Sequence, residues 1–556
     1  MPRTGAHTGC ANGLRLSALR DSVRSGEPSR VQALAPTITG MRRDIPRLTE
    51  TGFDLLVVGA GIYGACAAWD ASLRGLSVAV VDRDDFGAAT SANSLRIVHG
   101  GLRYLARGDF SRMRESIRER STLLRIAPGL VEPLKVLVPT YGAGTRGRLA
   151  HAAALALNDL VSLRRNRELS RNRQIPGGRL VSRDECLSLF PWFAADRLSG
   201  GAVWFDAQLR QPERLTLSFL QSAAQIGAVP VNYLRVDRLL TVNGSVQGAR
   251  ATDRLTGAEL EIRARAVLVT AGPWTGEIVA TAADARQIPA ARKQALAVNL
   301  VINRRLANVA VGVRSGSGPR EDPVCGGGRF LFCAPHGQAA TMLGTWYTAD
   351  HVEPRAALER GVRALLREFN AACPGLDLSD SDVVRSQWGW LPLKSGQEPG
   401  RPDALADRPQ IVDYGPGHGV QHLISVEGVK FTTARLVAEQ AIDQVFASLG
   451  QVSPPCGTAV RQLEGVVTEH PAGTKAALAR EEIVRAVQQE MAVKLSDLVF
   501  RRTALGAAPG PNRVAVEAAA QQMGAALGWE THRRMEETDA VMREAGTPGA
   551  ALETVA

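Results

Sequence analysis

Residues 54 to 82 constrain this chain more tightly than any other stretch. An apolar run, Asp54-Leu-Leu-Val-Val-Gly-Ala60, turns through Gly59-Ala-Gly-Ile-Tyr-Gly64 and enters a small-residue helix expected from Ala65 to about Arg74. A second apolar run, Leu76-Ser-Val-Ala-Val-Val81, ends on Asp82. Strand, glycine turn, helix, strand and acid in that order make a βαβ unit with a dinucleotide fingerprint. A pyrophosphate must approach the N–H groups of a helix N-terminus more closely than a Cβ allows, which Gly59 and Gly61 permit, while Gly64 lets the helix pack on the strand. Asp82 is placed to accept hydrogen bonds from the adenosine ribose hydroxyls.

The rest of the composition bounds the problem without solving it. A chain of 556 residues with 45% hydrophobic content can bury a large core and divide into two to four domains. The net charge of +11 suits an anionic substrate, an anionic membrane surface or nucleic acid. The motifs described below point to a small molecule, and no nucleic-acid partner is expected. The seven cysteines lack CxxC spacing, so neither a metal site nor a disulfide framework is expected, and a reducing, cytoplasmic compartment fits. No apolar run reaches the ~20 residues needed to span a bilayer. Any membrane contact is therefore expected to be peripheral, on the inner face of the cell membrane. Residues 1 to about 50, rich in Arg, Gly, Pro and Ser, read as a disordered extension without a secretory h-region. Two origins stay open for it: an organelle transit peptide, or an overlong start with Met41 as the first residue.

Beyond Asp82 comes Phe86, a Thr90-Ser91 loop and then His99-Gly-Gly-Leu-Arg-Tyr104. This succession resembles the flavin-dependent glycerol-3-phosphate dehydrogenases, within the D-amino-acid-oxidase-like superfamily of FAD-dependent oxidoreductases. It implies FAD as the dinucleotide, with Thr90, Ser91, Gly100 and Gly101 beside it. The likeness continues through Ala127-Pro-Gly-Leu, Gly200-Gly-Ala-Val-Trp-Phe-Asp206 and an α/β step over Glu213 to Val236, with Val236 implied near the adenine. A hairpin around Leu255-Thr-Gly257 feeds a strand ending in Thr270-Ala-Gly272, and Gly272 is assigned to FAD. Leu423 to Arg435 is similar to the family's Gly-Gly-Lys-Leu-Thr-Thr-Tyr-Arg, which places Gly428, Lys430 and Thr432 beside the flavin, with a helix from Thr432. Helices over 479–503, 513–527 and 531–545 resemble the family's C-terminal domain, with Ser496 and Asp497 expected to cap a helix.

The fold expected is α/β: a doubly wound, Rossmann-like FAD domain of the glutathione-reductase type, a mixed-sheet substrate domain and an all-α C-terminal domain. Their expected bounds are 51–285 with 400–450, interrupted by substrate-domain insertions, then 286–399, then 451–556. The resemblance implies oxidation of sn-glycerol 3-phosphate to dihydroxyacetone phosphate by hydride transfer to flavin N5, with electrons passing to a quinone at a membrane. Arg103, Tyr104 and Lys430 are the candidates for gripping substrate, and Lys430 also for stabilising reduced flavin. For the base, His99, His336 or a bound water are candidates. The helical stretch Leu149 to Arg173, apolar and then basic, is read either as a lipid-facing or as a core-facing helix.

Two positions depart from the family. Trp390 or Leu391, and Val412, stand where it has arginines, the first of which binds the substrate phosphate. Each lost charged hydrogen bond is worth roughly 1.5–3 kcal/mol. Either Lys394 or Arg385 compensates, or the substrate is another hydroxy or amino compound. Flavin binding without turnover, and nicotinamide-dependent reduction, are the remaining alternatives.

Overall fold

The computed structural model describes residues 40–546, excluding 106–107, 283–287, 289–291, 319–323, 326, 350–353, 395–402, 466–477 and 508–509. Most of the expected extension, with Cys10, lies outside the described residues. Its last ten residues do not fit that expectation. Asp44 caps a helix at Ile45–Glu50, Leu48 is fully buried, and Arg43 pairs with Asp253 at 2.9 Å.

Two sheets carry the fold. In the first, Phe53–Val58 lies between Glu259–Val269 and Val78–Val81; Leu423–Glu427 and Val229–Val231 follow on the two outer sides, all parallel. Gln410–Asp413 adds an antiparallel edge, and the hairpin expected around Leu255–Gly257 joins Ser245–Asp253 to Glu259–Val269. The parallel strands read as unbroken Val, Leu and Ile because helices cover the sheet. The fingerprint helix runs Ile62–Leu73, three residues earlier than expected, because Gly61 already serves as N-cap. It packs on Pro212–Gln225 and Ala434–Ser448, with Trp69 edge-on to Phe219 at 5.5 Å.

The second sheet has nine strands and is mostly antiparallel. It draws Gln294–Ile302, Ala310–Arg314, Phe330–His336, Ala340–Thr348 and Val383–Pro392 from the expected substrate region, together with Ile97–Val98, Val131–Tyr141, Arg179–Val181 and Leu198–Leu209 from inside the first domain. The sheet that holds the strands of 286–399 thus also takes in four strands from within 51–285. The stretch 149–173 is not one helix: it stops at Val161 and continues through turns to a short 3-10 segment. The expected strand Val229–Val236 breaks at Tyr233, whose φ is +55°, into Val229–Val231 and Leu234–Val242.

The C-terminal helices Arg480–Gln489, Arg513–Leu527 and Thr531–Gly546 have their own apolar cluster. Ser496 is not a cap. Asp497 accepts instead from the Val493 and Lys494 N–H groups, at 2.9 Å each. Charged pairs tie this region to the first domain: Arg502 to Asp85 at 2.7 Å and Arg214 to Glu490 at 2.6 Å, all four side chains buried.

Candidate active site

The fingerprint turn is built as the glycines require. Gly59 has φ +99°, and a Cβ there would come within 2.8 Å of Ala271 Cα, while one on Gly64 would lie 1.9 Å from the Gly59 oxygen. Gly61 opens the helix N-terminus, where Ile62 N–H donates to Ser91 Oγ at 3.0 Å. Gly272 has φ +59° and open space where a Cβ would stand. Asp82 ends its strand and accepts from the Ala60 and Asp84 N–H groups at 2.7 and 3.0 Å. Burial pushes its carboxyl up to about 7. Val236 is buried with Val58, Val81 and Val269 at the carboxyl ends of the strands. These features fit an FAD: an open helix terminus, a close-approach turn and an acid at the second strand's end.

At the other end of this crevice Lys430 follows the strand Leu423–Glu427. Tyr63, from the fingerprint helix, donates its hydroxyl to the Lys430 oxygen at 2.7 Å and accepts from the Lys430 N–H at 3.1 Å. A Cβ on Gly428 would lie 2.0 Å from the Tyr63 ring, so the ring sits where only glycine leaves room. Thr432 is buried, and the following helix starts at Ala434, two residues later than expected.

The Lys430 ammonium stands 4.3 Å from the centroid of the buried Tyr104 ring. Arg103 and Arg112 also approach that ring, at 5.2 and 5.1 Å. Arg112 is paired with Asp109. Among the described residues neither Arg103 nor Lys430 has a carboxylate partner. Burial, with the Arg103 charge nearby, lowers the Lys430 amine to about 7.

His99 precedes Tyr104 by five residues. Its Nδ1 lies 3.2 Å from Asp206 Oδ2. Asp206 is buried and also accepts from Gly100 N–H at 2.7 Å and from Arg120 at 3.0 Å. Burial raises its pKa, but the His99 hydrogen bond and the His99 and Arg120 charges outweigh that and hold the carboxyl below its usual range. Gly100 is needed because a Cβ there would lie 2.1 Å from Arg120 Nη1. Gly101, with φ +85°, turns the chain into the short helix bearing Tyr104.

Thr90 joins the two sheets: its hydroxyl accepts from Trp390 N–H at 3.1 Å, and it packs on Gly389. His336 is not brought to this cluster. It is buried at the far end of its strand in a separate cavity with Arg96 and Arg385; burial and the charges of Arg96, Arg385 and Arg305 lower its pKa well below the usual value. Arg385 therefore does not replace the missing arginines, and Lys394 is engaged with Asp407 at 2.6 Å. Two further contributors emerge from the structure: Tyr63, a bulky residue inside a small-residue helix, and Arg120, a buried charge in the charged helix Phe110–Ile126.

Comparison with known proteins places this geometry. The family described as FAD dependent oxidoreductase matches residues 54–444, and the C-terminal domain of alpha-glycerophosphate oxidase matches 455–534. The fold and crevice define an FAD-dependent oxidoreductase. The glycerol-3-phosphate dehydrogenase of Synechocystis sp. is 32% identical over 440 residues, 76% of this chain and 75% of its own length. The chain belongs to the glycerol-3-phosphate dehydrogenase family. The human mitochondrial glycerol-3-phosphate dehydrogenase is 29% identical over 429 residues, 74% of this chain but 55% of its own length, so the chain spans about half of that relative. The solved glycerol-3-phosphate dehydrogenase of Bacillus halodurans, complexed with FAD, shares the fold with a TM-score of 0.67 at 23% identity, over 91% of this chain and 96% of that one.

Proposed function

We propose that the chain oxidises the secondary hydroxyl of sn-glycerol 3-phosphate to the ketone of dihydroxyacetone phosphate. The observation that carries this reading is the pair of cations, Arg103 and Lys430, that have no carboxylate partner among the described residues and flank Tyr104. A phosphate dianion supplies the charge that such a pair lacks. When bound, FAD supplies the acceptor for the hydride leaving the substrate carbon.

The chain's own residues do the rest. Gly59 to Tyr63, Asp82, Ser91, Gly272 and Gly428 to Thr432 hold the dinucleotide. With Asp206 fixed by Arg120 and Gly100, His99 keeps its proton on Nδ1 and presents Nε2 as the base for the substrate hydroxyl proton. Tyr63 sets the Lys430 backbone and thereby the height of the ammonium over the Tyr104 ring.

Leu391 and Val412 favour a second reading, in which a different hydroxy or amino compound is oxidised by the same apparatus. Anaerobic bleaching of the flavin by glycerol 3-phosphate, against glycerol and small amines, separates the two.

The electrons then pass to a quinone, and the chain meets the membrane peripherally. Leu149, Leu160 and Leu163 are 89%, 62% and 76% exposed at the two ends of the helix Arg148–Val161, with exposed Arg164, Arg167 and Arg171 following. Such a row of exposed leucines with basic residues following suits anionic lipid. No helix among the described residues is long and apolar enough to cross a membrane. Flotation with anionic vesicles tests the contact, and menaquinone or ubiquinone analogues as acceptors test the route.

A further inference from the structure

The cavity that holds His336 is not part of the site above. It is partly open to solvent and spans about 650 Å³ between the far end of the second sheet and the C-terminal helices, lined by Arg96, Arg385, Gln387, Phe500 and Arg501 among others. Trp390, next to Thr90, is five residues along the same strand from Arg385, roughly 16 Å at an extended rise.

Most charges facing the cavity are neutralised. Arg96 pairs with Glu213 at 3.3 Å, Arg214 with Glu490 at 2.6 Å, and Arg501 with Asp85 and Asp497 at 2.5 and 2.7 Å. Arg385 is the exception. Its guanidinium lies 4.7 Å over the Phe500 ring, and among the described residues it has no hydrogen-bond or ion-pair partner. Glu544 faces the adjoining space, and burial raises its pKa, which weakens it as a counter-ion. The neighbours of Arg385 along the strand are unsatisfied too: Gln387 Oε1, on a side chain 2% exposed, and Ser386 Oγ are buried without a hydrogen-bond partner, as is Arg96 Nε. A half-buried guanidinium without a counter-ion, and buried amide or hydroxyl oxygens left unpaired, are each costly.

One kind of ligand answers the three of these groups that line the cavity, Arg385, Arg96 Nε and Gln387 Oε1. Anionic oxygens accept from Arg385 and Arg96 Nε, and an O–H donates to Gln387 Oε1. We propose that this cavity binds a small oxyanion carrying a hydroxyl or protonated oxygen, of the phosphate or hydroxycarboxylate class. Arg385 also borders the adjoining space lined by Ala88, Ala92 and Asn93, in the loop whose Ser91 holds the fingerprint helix, so occupancy of the cavity reaches that cofactor contact through Arg385.

The test uses the full FAD-loaded chain in a Lys430→Met background, which weakens phosphate binding beside Tyr104 about tenfold to a hundredfold. Titration calorimetry with inorganic phosphate and with tartrate distinguishes the two anion classes. At least one is expected to bind saturably, and Arg385→Gln is expected to weaken it tenfold or more with the visible flavin spectrum unchanged. Gln387→Glu, which sets a carboxylate against the anion, is expected to abolish binding and serves if Arg385→Gln does not fold. Absence of saturable binding of either anion, or equal affinity in the substituted and unsubstituted chains, overturns the proposal.

Discussion

His99 Nδ1 lies 3.2 Å from the buried carboxylate of Asp206, and that carboxylate is itself held by the Arg120 guanidinium and the Gly100 N–H. A histidine anchored in this way has one tautomer and one orientation, which is what a base for a hydroxyl proton needs. His99→Gln is expected to lower the rate of flavin reduction by about 10²–10⁴-fold, the range of general-base catalysis. Substrate affinity should change little, and stopped-flow reduction at saturating substrate measures the difference. Asp206→Asn should follow it in direction. Removing Asp206 also leaves Arg120 buried without its partner, at a cost of about 3–5 kcal/mol, which denaturant unfolding would read.

Lys430 predicts a pH dependence for substrate binding. Its amine is lowered to about 7 by burial and by Arg103, so it loses its proton as pH rises through neutrality. The affinity for an anionic substrate should therefore be full at pH 6 and fall between about 7 and 8.5. Lys430→Met should weaken binding about tenfold to a hundredfold, the equivalent of one charged hydrogen bond, and flatten the profile. KM or Kd measured across that range in both proteins checks it.

FAD binding should show the opposite slope. Asp82 is raised to about 7 by burial, so the apoprotein's carboxyl is largely protonated at pH 5 to 6. Ribose hydroxyls donate to the ionised form, so binding releases a proton. FAD affinity is expected to rise with pH through about 7 and then level off, and Asp82→Asn should remove the dependence. Quenching of flavin fluorescence on titration into apoprotein gives the curve. On the stability side the sign is reversed: a raised carboxyl makes the apoprotein lose stability as pH climbs from about 4 to 7.

The C-terminal helices should depend on Asp85. It receives Arg501 and Arg502 at 2.5 and 2.7 Å, with a third bond from Asn232 at 3.0 Å. The pair of arginines holds its carboxyl well below the usual range despite burial. Asp85→Ala leaves two buried cations and is expected to cost about 3–5 kcal/mol. Limited proteolysis should then release the region after 478 at protease levels that leave the parent chain intact.

Much of this was legible from residues alone. The glycine turn, the apolar strands around it, the hairpin at Leu255–Gly257 and the His99-Gly-Gly-Leu-Arg-Tyr104 segment each carry local chemistry that reads directly. Helix starts read less well, because Gly61 and Thr433 cap by backbone geometry rather than by a recognisable side chain. What could not be read was convergence. Nothing in the spacing of His99, Arg120 and Asp206 says that they meet: pairing of Ile97–Val98 with Leu198–Leu209 sets His99 beside Asp206, and the helix Phe110–Ile126 delivers Arg120. His336 shows the converse: a histidine suited to base chemistry by type, carried to the wrong end of the sheet by register.

The most direct measurement is anaerobic reduction of the bound flavin followed at its visible absorption band. Addition of sn-glycerol 3-phosphate should bleach the band in a saturable way, with glycerol and small amines inert at the same concentration. A flavin that stays oxidised with glycerol 3-phosphate while bleaching with an unphosphorylated polyol or an amine would contradict the reading of Arg103 and Lys430 as a phosphate grip.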